Sequence, residues 1–160
     1  MNKLYILLGS NMGNSKSNLL LAQKYIAKKI GTVIRKSNFY ETAAWGYTKQ
    51  ADFLNQLIIV VSKHKAEKVI EKILAIEKEM GRIRTKKNAP RLIDIDILFF
   101  NKEIIKTQNL TVPHPALQNR RFVLVPLNEL SPNFIHPVLN TTIHQLLLTC
   151  PDILTVKKFS

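Results

Sequence analysis

The sequence predicts an α+β fold in which one antiparallel sheet carries helices. Two observations predict it. Apolar residues switch between strand-like alternation and helix-like spacing in the order strand, helix, strand, strand, helix, strand. Glycines at 31 and 81 stand where the two helical segments should stop. A length of 160 residues suits one domain, 1–160, able to bury about two thirds of its unfolded surface.

Residues 3–8 alternate as a first strand, and Gly9-Ser10-Asn11-Met12-Gly13-Asn14 is a turn cluster. Residues 16–30 are helical, with Leu19, Ala22, Ile26 and Ile30 at spacings of three and four. Residues 32–40 return to strand character, 41–51 form a loop, and 53–62 form the next strand. Residues 66–80 form the second helix, with Val69, Ile73, Ile76 and Met80 on one stripe. A basic loop over 82–90 leads into a strand over 91–100. Prolines follow residue 110, then helices near 119–129 and 141–148. The order β-α-β-β-α-β is the ferredoxin-like split arrangement, with both helices on one sheet face. Additional C-terminal helices are expected to cover the other face, making a three-layer α/β/α sandwich.

The charge pattern is uneven. The net charge is +13, but 18 of the 24 basic residues are lysines spread along the chain. Five of the six arginines, Arg82, Arg84, Arg91, Arg120 and Arg121, fall between residues 82 and 121. The guanidinium fork matches phosphate better than an ammonium does. A single cysteine, Cys150, excludes an internal disulfide and suits a reducing cytoplasm. No apolar run approaches the roughly 18 residues of a membrane span, and the first apolar run reads as a strand rather than a signal peptide.

"PRLIDIDIL", residues 90–98, places two aspartates two residues apart in a strand rich in Ile, Leu and Phe. Alternate strand side chains share a face, so Asp94 and Asp96 point the same way, roughly 7 Å apart. Leu98 and Phe100 should follow on that face, with Ile93, Ile95, Ile97 and Phe99 on the other. Paired carboxylates suit hard cations, and magnesium favours a few carboxylates plus substrate phosphates. A bare D-x-D is as often a solvent-facing strand end. Apolar neighbours on both sides, in a chain with four aspartates, favour function.

Other stretches are weaker when read singly. "GRIRTKKNAPR", 81–91, is a basic loop that could close on a triphosphate. Glu77 borders an apolar helical stripe, where an ordinary surface glutamate is the commoner case. "TVPHPALQNRRF", 111–122, holds His114 between two prolines. Asn55 shares a strand face with Phe53, Leu57 and Ile59, and a buried amide needs hydrogen-bond partners. That partner is either neighbouring backbone or a flat heterocycle. No P-loop or Rossmann glycine pattern is present.

Together, "GRIR…PRLIDIDIL" followed by "LTVPHP…NRRFVLVPL" resembles the 6-hydroxymethyl-7,8-dihydropterin pyrophosphokinase family of folate biosynthesis, from the Gly-Ser-Asn after the first strand to about residue 130. The resemblance implies transfer of the β,γ-pyrophosphoryl group of ATP to the hydroxymethyl oxygen of the pterin, leaving AMP. It implies two magnesium ions (Mg2+) on Asp94 and Asp96. It implies ATP binding by Glu77, Arg84, Arg91, Ile97, Thr111, His114 and Arg120, with Arg82, Arg84 and Arg91 catalytic. It implies a pterin pocket of Thr42, Ala43, Trp45, Phe53, Asn55, Asp94 and Phe122. Two departures stand out: Asn88-Ala89-Pro90-Arg91 where well-studied members carry Trp-Gly-Pro-Arg, and Ala43 where a proline is frequent. The expected partners are ATP and the pterin, in a cytoplasmic monomer that engages neither nucleic acid nor membrane. The rivals are a basic RNA-binding domain of the same fold, and a two-metal nucleotide transferase that makes ADP or a nucleotidyl product.

Overall fold

The computed structural model describes residues 1–43, 51–81 and 92–159. The expected loop over 82–90 therefore lies outside the described residues. Strand β1 (Asn2–Ser10) leads to helix α1 (Ser15–Lys29), then β2 (Thr32–Lys36), β3 (Phe39–Thr42) and β4 (Phe53–Ser62). Helix α2 (Ala66–Glu79) and β5 (Asp94–Phe100) follow, then the short strands β6 (Ile105–Lys106) and β7 (Thr111–Val112). A 3-10 turn (Leu117–Asn119) precedes α3 (Arg121–Leu130), α4 (Ile143–Leu148) and β8 (Val156–Phe159).

All strand pairs described are antiparallel, and the main sheet runs β5-β1-β4-β3-β8, with β2 also on β4. Side-chain alternation along β1 divides two cores. Leu4, Ile6 and Leu8 pack with Leu19 and Ile26 of α1 and with Val69, Ile73 and Ile76 of α2. Tyr5 and Leu7 pack with Val123, Leu124 and Leu127 of α3 and with Ile143 and Leu146 of α4. The stripes read from helical spacing are thus the buried ones, and the C-terminal helices lie on the opposite face from α1 and α2.

Three expectations change. The strand expected over 32–40 is two strands, because the backbone steps out at Ser37. There the Ser37 N–H donates to the Leu57 carbonyl at 2.9 Å, and the Ser37 hydroxyl accepts the Leu57 N–H at 2.9 Å. The buried pair Gln23 and Gln56 completes this network, with Gln56 Nε2 donating to the Ser37 carbonyl at 2.8 Å. The second change is a bulge in β5. Tyr5 pairs with Phe99 but Ile6 pairs with Ile97, so Leu98 is the extra residue. Phe99 therefore turns to the α3 and α4 side with Leu98, and Phe100 turns to the α1 and α2 side. Their expected faces are exchanged. The third change is β8, which the sequence reading did not anticipate and which extends the sheet beyond β3.

Long-range bonds hold α3 against the sheet. Arg35, the arginine away from the cluster, donates from Nη1 to the Leu130 carbonyl at the end of α3, at 2.7 Å. Glu129 accepts the Tyr40 hydroxyl at 2.5 Å, and burial together with that carboxylate pushes the Tyr40 pKa up to about 12.

Gly81 has φ +87°, the left-handed conformation expected of a residue that closes a helix. Gly31 is needed for a different reason: a Cβ there would lie 2.2 Å from the Val61 carbonyl oxygen. Backbone would have to move, so Gly31→Ala is expected to cost about 1–3 kcal/mol in urea unfolding. Wild-type stability in that variant would contradict the close approach.

Candidate active site

The three central strands set one row of positions across the sheet. Gly9 on β1 stands opposite Asn55 on β4 and opposite Asp94 on β5. At the usual strand spacing, Asn55 and Asp94 are roughly 10 Å apart, about the length of a bicyclic ring. One row deeper, Leu7 stands between Leu57 and Asp96. Beyond Asn55, β3 pairs Thr42 with Phe53. Phe122 and Arg120 come over this face from the start of α3, with the Arg120 guanidinium 6.0 Å from the Phe122 ring centre.

These residues enclose a slot lined by Gly9, Thr42, Phe53, Asn55, Asp94 and Phe122, with Leu7, Ala43, Asp96 and Arg120 at its walls. A second, wider cavity opens between α2 and the segment after β5. Glu77, Ile97, Thr111 and His114 line it, and so do Asp94 and Asp96. The two aspartates are thus the wall shared by both cavities, each half-buried.

Asn55 carries the clearest ligand signal. It is 3% exposed, and its Nδ2 is a buried donor with no hydrogen-bond partner among the described residues. Such a group costs about 1–3 kcal/mol unless something accepts from it. A Cβ on Gly9 would lie 2.7 Å from Asn55 Oδ1, so Gly9 is what makes room for the amide. By sequence alone Gly9 belongs only to a turn cluster. The available signal was its position one register step from both Asn55 and Asp94, which needs strand pairing to be seen.

Glu77 is not a surface residue. It is 3% exposed, and its Oε2 accepts the Ile95 N–H at 2.9 Å. Ile95 lies between the two aspartates on an edge strand, so this carboxylate satisfies an outward N–H and holds the aspartate strand to α2.

His114 is fixed by its backbone, with its N–H on the Leu98 carbonyl at 3.0 Å. Its Nδ1 accepts the Ala116 N–H at 3.2 Å, which leaves the proton of the neutral ring on Nε2 as a donor. Burial lowers its pKa from the ordinary 6.5, Arg120 lowers it further, and Asp94 opposes both. The ring is therefore neutral at pH 7. The unfolded chain binds this proton more readily, so the contribution of His114 to stability is full above about pH 6.5 and is lost as pH falls through the folded value. An NMR titration should place the His114 midpoint below 6.5, and a midpoint above it would contradict this environment. His136 is buried and accepts the Val138 and Leu139 N–H groups, so it anchors a loop.

Among the described residues, the expected pterin-side positions Thr42, Ala43, Phe53, Asn55, Asp94 and Phe122 do come together. Glu77, Ile97, Thr111 and His114 come together in the second cavity. Arg120, expected with ATP, lines the slot beside the aspartates, and its charge also reaches His114 of the second cavity. Trp45, Arg82, Arg84, Asn88 and Arg91 lie outside the described residues.

A model of the HPPK family, 7,8-dihydro-6-hydroxymethylpterin-pyrophosphokinase, matches residues 5–132. The chain belongs to this family. It is 40% identical over 134 residues to the 2-amino-4-hydroxy-6-hydroxymethyldihydropteridine pyrophosphokinase of Aquifex aeolicus, covering 84% of this chain and 83% of that one. It is 41% identical over 127 residues to the enzyme of the same name from Bacillus subtilis, covering 79% and 76%. The folic acid synthesis protein FOL1 of Dictyostelium discoideum is 40% identical over 152 residues; the match covers 94% of this chain but only 23% of that longer protein. The crystal structure of Plasmodium falciparum HPPK-DHPS with pteroate has the same fold, with a TM-score of 0.76 at 19% identity, over 92% of this chain and 42% of that one. The HPPK family and the relatives named pyrophosphokinase are diphosphotransferases, and the Dictyostelium relative is named for folic acid synthesis. Among the described residues, no helix is long and apolar enough to cross a membrane.

Proposed function

We propose that this chain transfers the β,γ-pyrophosphoryl group of ATP to the hydroxymethyl oxygen of 6-hydroxymethyl-7,8-dihydropterin. The observation that carries this reading is the shared wall: Asp94 and Asp96 border both cavities. The slot takes the pterin, between Phe53 and Phe122, with the buried Asn55 amide donating to its polar edge. The second cavity takes the nucleotide, with Thr111, Ile97 and His114 along it and Nε2–H of His114 available to a phosphate oxygen. The reacting atoms meet where the cavities meet. The hydroxyl oxygen bonds to the β-phosphorus as the bond from that phosphorus to the oxygen it shares with the α-phosphate breaks. AMP leaves, and the hydroxyl proton is released. No covalent intermediate is needed; the protein's share is orientation and charge.

Asp94 and Asp96 would hold magnesium, two ions with ATP. Among the described residues no group of three or more His, Cys, Asp or Glu side chains is placed to hold a metal. Two hard carboxylate donors at the mouth of a nucleotide cavity fit an ion whose remaining ligands are substrate phosphates and water. When bound, magnesium supplies charge neutralisation along the triphosphate. Arg120 stands beside the same point, and Arg82, Arg84 and Arg91 complete the proposed set. The sheet order β5-β1-β4-β3, with α1 and α2 on one face and α3 and α4 on the other, supports a three-layer ferredoxin-like core. We read residues 1–160 as one pyrophosphokinase domain, working as a monomer in the cytoplasm.

The test is to incubate the protein with magnesium, ATP and the pterin and to identify the nucleotide product. Pterin-dependent AMP with matching pterin diphosphate is expected. Pterin-dependent ADP would make the protein an ordinary kinase, and no pterin-dependent product from folded protein would overturn the substrate assignment.

A further inference from the structure

The chain after α4 returns to the slot, beyond the segment that the family match covers. Asp152 Oδ2 accepts the backbone N–H of Arg121 at 3.0 Å, and Oδ1 accepts the N–H of Leu154 at 2.9 Å. Soon after, the Thr155 carbonyl accepts the Thr42 hydroxyl at 3.2 Å. From Val156 the chain pairs with β3 as β8, with Val156 opposite Thr42. Residues 152–156 therefore bridge two sides of the slot: Arg120 and Phe122 on one, Thr42 and Ala43 on the other.

The first turn of α3 is built to need this bridge. Arg120 is its N-cap and makes no side-chain capping bond. The Val123 N–H reaches back to the Arg120 carbonyl at 3.1 Å, but the Arg121 N–H, at the first helical position, has no partner within the helix. Pro126 stands inside α3 and has no N–H to give the Phe122 carbonyl four residues back. The turn that presents Phe122 thus lacks both a local cap and one internal bond. The Asp152 carboxylate, 31 residues along the chain from Arg121, supplies the missing acceptor. A negative group at a helix N-terminus is also favoured by the helix dipole.

We propose that Asp152 is a positioning residue for the slot. By tying the first turn of α3 to the strap that becomes β8, it sets where Phe122 stands relative to Thr42. It touches neither substrate in this role. The proposal rests on the pterin reading of the slot given above.

The test is steady-state kinetics of the full chain, with pterin and ATP varied separately and AMP measured. Asp152→Ala is expected to raise the pterin KM about tenfold while the ATP KM stays within about twofold. Asp152→Asn keeps one acceptor oxygen and loses one of two bonds, so its pterin KM should fall between wild type and Asp152→Ala. It also carries the test if Asp152→Ala does not fold. A merely stabilising cap would lower the melting temperature without separating the two KM values. An active wild type whose folded variants keep the wild-type pterin KM, or raise both KM values together, overturns the strap alone. A wild type that makes no pterin-dependent AMP overturns the reading of the slot, and the strap with it.

Discussion

Asp94→Ala and Asp96→Ala are each expected to abolish pyrophosphoryl transfer, by about a thousandfold or more, and to leave the fold in place. Both side chains are half-buried at the shared wall of two cavities, on a strand face whose deeper part is apolar. The strand itself is held by its β1 ladder, by Ile93, Ile95 and Ile97 in the core, and by Glu77 on the Ile95 N–H. Removing either carboxylate leaves those contacts alone. The loss should therefore appear in turnover and in magnesium-dependent ATP binding, with the far-ultraviolet circular dichroism of the wild type retained. Near-normal rates in both variants would remove the metal assignment.

Asn55→Ala and Gly9→Ala form the second large expectation, and here the signs of two effects differ. Among the described residues the buried Asn55 Nδ2 has no partner, so deleting the amide should not cost stability and should leave it unchanged or slightly raised. Pterin affinity should fall by about a hundredfold, because a site built to hydrogen-bond a ligand depends on that bond. Gly9→Ala acts on the same group from the neighbouring strand: its Cβ, 2.7 Å from Asn55 Oδ1, displaces a side-chain end rather than backbone. It should weaken pterin binding with a small change in stability, unlike Gly31→Ala, where the obstacle is the Val61 carbonyl. Urea unfolding and fluorescence titration with the pterin separate the two effects. If Asn55→Ala unfolds more easily yet binds pterin as wild type does, Asn55 is structural.

Much of this could be read along the chain. Helix spacing picked out Leu19, Ala22 and Ile26 on α1 and Val69, Ile73 and Ile76 on α2, all of which are buried. The strand over 53–62 has the expected bounds, and Phe53, Asn55, Leu57 and Ile59 do share a face. Asp94 and Asp96 are side by side for the same reason, since a period of two is a local property of extended backbone. The motif order carried the family because it keeps types and spacings together.

Tertiary structure decided what depends on pairing partners distant in sequence. The bulge at Leu98, which exchanges the faces of Phe99 and Phe100, arises in the register of β5 against β1. Glu77 is buried because an edge strand brings the Ile95 N–H to it. Gly9 matters because two neighbouring strands place Asn55 and Asp94 on either side of it. Asp152 reaches α3 only because the chain after α4 doubles back to become β8. Periodicity records which face a residue takes; it holds no record of what stands across from that face, and in this protein the depth of the site was set there.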